Sequence, residues 1–172
     1  SRSKPHPARV VPDLPYLPMV RHMRRAGWVD LSNAAGTISL PTGTVSLLGT
    51  DDAHIHRDRM GTPASSWAAP GTLRLGVTHA PYTRIVSALT SAGSDLILAG
   101  HTHGGQIVIP GVGAVITNCD ISCPYAKGLK RWEAPDGAEA WLHVSAGLGT
   151  SPYAKIRIAT RPEESLLHVH PA

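Results

Sequence analysis

Two histidines separated by a single residue, His101 and His103, follow the apolar run Leu96-Ile97-Leu98-Ala99 and precede Gly104-Gly105. A run of that length ending at glycine reads as a buried strand. Residues two apart in extended backbone point the same way, so both imidazoles are expected to face one point beyond the strand end. Glycine lets backbone approach closely there. Imidazole is a common metal ligand, and a histidine pair framed by glycines invites a metal site more than it suggests a simple strand cap.

A second gathering of ligand-type residues lies in Asp51, Asp52, His54, His56 and Asp58, directly after the apolar stretch Thr44 to Leu48. It reads equally well as a ligand cluster or as a polar loop with aspartate turn chemistry.

The elements that must position these residues are legible in part. Thr72 to Thr78 reads as a strand ending at His79, and Thr83 to Ala92 as a helix with Ile85, Val86 and Leu89 on one face. Asp95 to Ala99 is the next strand. Strand, helix and strand at this spacing form a βαβ unit with parallel strands and a right-handed crossover. Both strands then end at the same sheet edge, where α/β folds bind ligands, and His79 joins His101 and His103. Three imidazoles plus a water would suffice for an open zinc site.

Around this unit, residues 1–15 carry four prolines and read as a loop or linker. Tyr16 to Ala26 shows helical spacing, with Gly27 where a helix C-cap belongs. Trp28 to Leu31 reads as a short strand. Thr37 to Leu40 and Thr44 to Leu48 form a hairpin around Pro41-Thr42-Gly43. Gln106 to Ile109 and Ala114 to Thr117 are expected to form a second hairpin. Ala126 to Trp132, Ala140 to Ser145, Lys155 to Thr160 and Ser165 to His170 read as strands, mostly antiparallel. His143, His168 and His170 fall within these and read as structural or solvent-facing.

A chain of 172 residues supports one domain that buries roughly 70% of its unfolded surface. A net charge of +4, scattered along the chain, gives no case for nucleic-acid binding. Cys119 and Cys123 make neither a disulfide framework nor a structural zinc site. The longest apolar stretch, Ile107 to Thr117, is short and broken by Pro110 and glycines, which argues against a membrane span. Because the first residue is Ser1 rather than Met, the natural N-terminus is expected upstream. Both a cytoplasmic location and membrane association through an upstream segment therefore stay open.

The segments G-V-T-H-A-P (76–81), L-I-L-A (96–99) and G-H-T-H-G-G-Q (100–106) resemble the last two motifs of the calcineurin-like metallophosphoesterases. V-S-A-G-L-G-T-S-P-Y (144–153) and R-P-E (161–163) resemble the C-terminal strands of a bacterial branch of that family, in which a polar segment like 51–54 also follows a strand. The resemblance implies an α/β (α+β) fold: the C-terminal half of a four-layer αββα sandwich with mixed β-sheets, residues 1–172 being one domain cut short at its N-terminus. It further implies a phosphodiester or pyrophosphate hydrolase in which a metal-bound hydroxide attacks phosphorus in line between two ions about 3.5–4 Å apart. Mn, Fe and Zn all suit such ligands. His79 and His101 would bind one ion and His103 the other, with Asp52, His54 and Gly104 as substrate or site-loop positions. The substrate would be a small-molecule or lipid-linked phosphoester.

The family's D-x-H, G-D-x-x-[DE] and G-N-H motifs are absent; Asp52-Ala53-His54 matches the first in letters only. The bridging aspartate and the catalytic histidine are thus missing, and this chain is expected to hold at most one ion and to be inactive alone. A non-catalytic metal-binding scaffold of the same fold is the alternative. The amidohydrolases also use H-x-H, but in a barrel of about 250 residues and at its first strand.

Overall fold

The computed structural model describes residues 15–151 and 155–170. The expected N-terminal linker lies, apart from Pro15, outside them. The chain divides into two compact units, residues 1–30 and 31–172. Within the first, helix α1 (Leu17–Arg25) follows the expected spacing and ends at Ala26 and the left-handed Gly27. Trp28 to Leu31 takes up no strand conformation, because an apolar run forms a strand only where a neighbour offers its backbone groups.

The second unit is built on one six-stranded sheet in the order β1-β2-β3-β4-β8-β7. Its strands are β1 (Ala35–Leu40), β2 (Gly43–Gly49), β3 (Leu73–Val77), β4 (Leu96–Ala99), β7 (Gly128–Glu133) and β8 (Glu139–Val144); a small hairpin, β5 (Val108–Ile109) and β6 (Gly113–Ala114), stands apart. Helix α2 (Thr83–Ser91) connects β3 to β4. This is a mixed α/β fold of the kind the sequence implies for a metallophosphoesterase fragment.

Pro81 and the extended Tyr82 open α2, whose Thr83 N–H donates to Asp120 Oδ1 at 2.7 Å. Its face of Ile85, Val86 and Leu89 packs with Leu48, Ile97, Ala99, Leu142 and Val144 into the core. Burying such side chains contributes on the order of 1.5–3 kcal/mol each. Gly76 permits this fit, since a β-carbon there would lie 3.2–3.3 Å from Ile97 and Leu89.

β2, β3, β4 and β8 are mutually parallel, flanked by antiparallel β1 and β7. The expectation of a mainly antiparallel C-terminal half is therefore corrected at β8, which pairs in parallel with β4. Lys155 to Thr160 and Ser165 to His170 are not strands; Ile158 alone bridges to Ile107. No helix among the described residues is long and apolar enough to cross a membrane.

Strand register places Ile38, Val45, Leu47, Leu75, Leu96, Trp141 and Leu129 on the sheet face opposite the α2-packed core. Ile38 is 39% exposed, Trp141 42% and Leu129 48%. Leu47 and Leu96 in the middle of that face are buried, so water meets it at Ile38, Trp141 and Leu129, and exposed apolar patches favour association. We expect concentration-dependent self-association of the isolated chain by sedimentation velocity, reduced by Leu129→Lys. A monomer at all concentrations would contradict this.

Candidate metal centre

Four parallel strands direct four loops to one edge: 50–59 after β2, 78–82 after β3, 100–106 after β4 and 145–149 after β8. Backbone hydrogen bonds lace them together, Thr50 N–H to Val77 O (3.1 Å), Gly100 N–H to His79 O (2.9 Å) and Ser145 N–H to Ala99 O (2.8 Å). His79 and His101, 22 residues apart, meet at that edge with His101 Nδ1 3.1 Å from His79 Nε2.

The tautomers follow from a main-chain group. His101 Nε2 lies 3.2 Å from the carbonyl oxygen of Asn118, which can only accept, so Nε2 carries the proton and the Nδ1 lone pair faces His79. A carbonyl holding the outer nitrogen is the usual way a ligand imidazole is oriented. Two imidazole nitrogens on one ion, each about 2.1 Å away at 90–110°, would stand about 3.0–3.4 Å apart. The His79–His101 spacing fits that arrangement.

The turn carrying the histidine pair is not extended. His101 (φ 70°), His103 (φ 51°), Gly104 (φ 67°), Gly105 (φ 81°) and Gln106 (φ 50°) all have positive φ, so the extended backbone expected for the pair is corrected. The Gly149 carbonyl, the Arg157 guanidinium and His79 all lie near enough to His103 to act on its ring, while no third His, Cys, Asp or Glu among the described residues joins a group able to hold an ion. Arg157 in turn donates to Gly149 O (3.0 Å from Nε), Ala146 O (2.6 Å) and Gly147 O (3.0 Å). Gly104 is buried against Thr160, whose Oγ1 would lie 2.7 Å from any β-carbon there and has no partner of its own among the described residues. Left-handed non-glycine residues concentrate at functional sites because surrounding structure must hold them there.

The Asp/His segment arrives as a braced loop. Asp52 Oδ1 accepts the His54 N–H (2.8 Å), and Asp51 Oδ1 accepts the Asp52 N–H (2.7 Å). Asp51 also pairs with Arg57 (3.2 Å), and Asp58 with Arg84. Asn33 Oδ1 accepts from Asp51 and Arg59 N–H groups at 2.8 and 2.6 Å. The carboxylates thus hold the loop. His54 is carried to the centre, its ring centroid 4.8 Å from that of His101, while His56 takes a left-handed turn position. Tyr82, whose hydroxyl lies 3.0 Å from His54 Nδ1, was not singled out in the sequence. Its signal was position, three residues beyond His79 on the same edge.

Among the described residues no three His, Cys, Asp or Glu side chains are grouped to hold an ion. The donors present therefore fit two positions on one divalent ion and do not fit a two-ion centre.

Burial is the first cause that holds both His101 and His103 below the ordinary imidazole value of 6.5. His79 and His54 add to it at His101, and Arg157 at His103, against the Asn118 and Gly149 carbonyls. The folded state then binds fewer protons than the unfolded chain just below that value, so stability falls as pH drops below about 6.5 and is fully present above it. We expect the urea midpoint to decline between about pH 7 and 5 and the decline to flatten in His101→Gln. A midpoint that rises on acidification would refute the assignment.

No protein-family model matches the chain, nor does any solved structure. Two curated proteins do. The phosphodiesterase YaeI of Escherichia coli (strain K12) is 31% identical over 147 residues, which are 86% of this chain and 49% of that protein. The chain is related to the calcineurin-like metallophosphoesterases. The uncharacterized metallophosphoesterase YkoQ of Bacillus subtilis (strain 168) is 28% identical over 145 residues, 83% of this chain and 50% of the relative. This metallophosphoesterase relative spans about half the length of the curated proteins it matches.

Proposed function

We propose that the chain contributes the histidine side of a metal-dependent phosphoester hydrolase, acting on phosphodiesters or pyrophosphate-linked compounds, small or lipid-linked. The carrying observation is the His79–His101 pair, 3.1 Å apart at the carboxyl edge of the parallel strands. Divalent ions such as Mn, Fe or Zn, when bound, supply the Lewis acidity for in-line displacement at phosphorus. His79 and His101 would hold one ion through Nε2 and Nδ1, with Asn118 fixing the outer nitrogen of His101. In the family pattern His103 serves a second ion. The carboxylates that complete such a centre would come from polypeptide beyond these residues, since Asp51, Asp52 and Asp58 are committed to the braced loop.

The test is direct. The purified chain should bind one Mn2+ through His79 and His101, seen as paramagnetic broadening of their ring resonances, and should hydrolyse bis-p-nitrophenyl phosphate little or not at all. Robust Mn2+-dependent hydrolysis abolished by His101→Ala would overturn the incompleteness. Absence of Mn2+ broadening at both rings would overturn the functional reading itself.

A further inference from the structure

His54 stands at this edge outside the 3.1 Å pair, its ring held by Tyr82 and in ring contact with His101. Its backbone is fixed by Asp52 and its ring by Tyr82, whose hydroxyl lies 3.0 Å from Nδ1. A phenol is a far better proton donor than a neutral imidazole N–H, and imidazole nitrogen the better acceptor, so Tyr82 donates. Burial above all pushes the Tyr82 phenol above its ordinary value and keeps it protonated. Nε2 then carries the ring proton, exposed and with no hydrogen-bond partner among the described residues. His54 does not complete a three-ligand group with His79 and His101, yet its ring stands 4.8 Å from that of His101, tilted by 46°. The arginines of the loop and its neighbour are engaged, Arg84 by Asp58, Arg57 by Asp51 and Arg59 by the His56 and Asp58 carbonyls, which leaves the His54 Nε2–H as an uncommitted donor beside His101.

We propose that His54, oriented by Tyr82, forms a phosphoryl-oxygen subsite, its Nε2–H donating to an anionic oxygen of a phosphate or phosphate ester seated beside the His79–His101 pair. The ligand class rests on the hydrolase reading; the donor geometry does not. The Asp52 carboxylate, whose charge reaches His101, opposes a bare anion there, so the subsite works through a directed hydrogen bond rather than through net charge. A hydrogen bond to a charged group is worth enough to change affinity about tenfold.

The experiment titrates inorganic phosphate into the metal-free chain with selectively labelled histidine, and chloride at equal ionic strength as the comparison. A saturable shift of the His54 ring resonances by phosphate and not chloride is expected. His54→Gln should weaken phosphate binding about tenfold and Tyr82→Phe about threefold, while Mn2+ still broadens His79 and His101 in both variants. Phosphate affinity unchanged in His54→Gln, or equal shifts by chloride, overturns the subsite. So does loss of Mn2+ broadening in His54→Gln, which would make His54 an ion ligand. Phosphate shifts at His54 without any Mn2+ broadening at His79 and His101 would support the subsite and sink the hydrolase reading.

Discussion

Replacing His101 with alanine should lower the Mn2+ affinity of this chain by at least about 100-fold, because even outer partners of ligand imidazoles are worth 10–100-fold. The pair at 3.1 Å is the whole side-chain donor set that the described residues direct at one point, so losing either member leaves a single imidazole. His79→Ala should therefore match His101→Ala, and the double variant should be scarcely worse than either, the non-additivity expected of residues acting as one unit. His103→Ala, which joins no three-donor group with the pair among the described residues, should cost less than about threefold in this chain. His22→Ala, exposed on α1, should cost nothing. Isothermal titration with Mn2+ separates these outcomes. Equal losses in His103→Ala and His101→Ala would show that the turn rearranges to place both rings on the same ion.

The second large effect concerns the turn itself. Gly105→Ala should destabilise the chain by about 2–5 kcal/mol, adding left-handed strain of about 1–2 kcal/mol to overpacking of about 1–3 kcal/mol. Gly105 has φ 81°, and a β-carbon there would lie 2.3 Å from Ala114 Cβ and 3.2 Å from Ala114 Cα. Against a total stability of about 5–15 kcal/mol, that is enough to unfold much of a marginal population. Gly111→Ala is the control, left-handed at φ 82° with open space around it, and should show the strain alone. The double variant Gly105→Ala/Ala114→Gly removes the methyl–methyl overlap and should recover most of the overpacking part. Urea unfolding of the four proteins decides it; no recovery in the double variant would mean the β5–β6 hairpin does not press on the turn as described.

The sequence made the positioning unit legible because its signals are local. Alternating and helical spacing through 72–99 defined β3, α2 and β4, and the parallel pairing of a βαβ unit then brought His79 beside His101. The turn that follows was not legible. An H-x-H after a strand looks extended, whereas His101 and His103 both take positive φ, and the ring of His101 is met by the Asn118 carbonyl far along the chain. Alternation in 155–160 and 165–170 likewise satisfied the local condition for a strand without supplying a free edge to pair with. The parallel docking of β8 on β4 escaped notice because the partner of a strand is chosen by the whole sheet. His54 was picked out as a residue type in a polar loop; what it touches depended on Tyr82 and on the bracing by Asn33, Asp51 and Arg57.

The pairing of β3 with β4 also fixes an order of events. His79 and His101 are neighbours only when two strands joined through a helix have closed on each other, and closing such a segment costs entropy before any contact repays it. An unfolded or newly made chain consequently offers scattered imidazoles and no chelate. On the proposed metal reading, ion binding and closure of the sheet are linked equilibria, so added Mn2+ would raise the urea midpoint of this chain above that of the metal-free form.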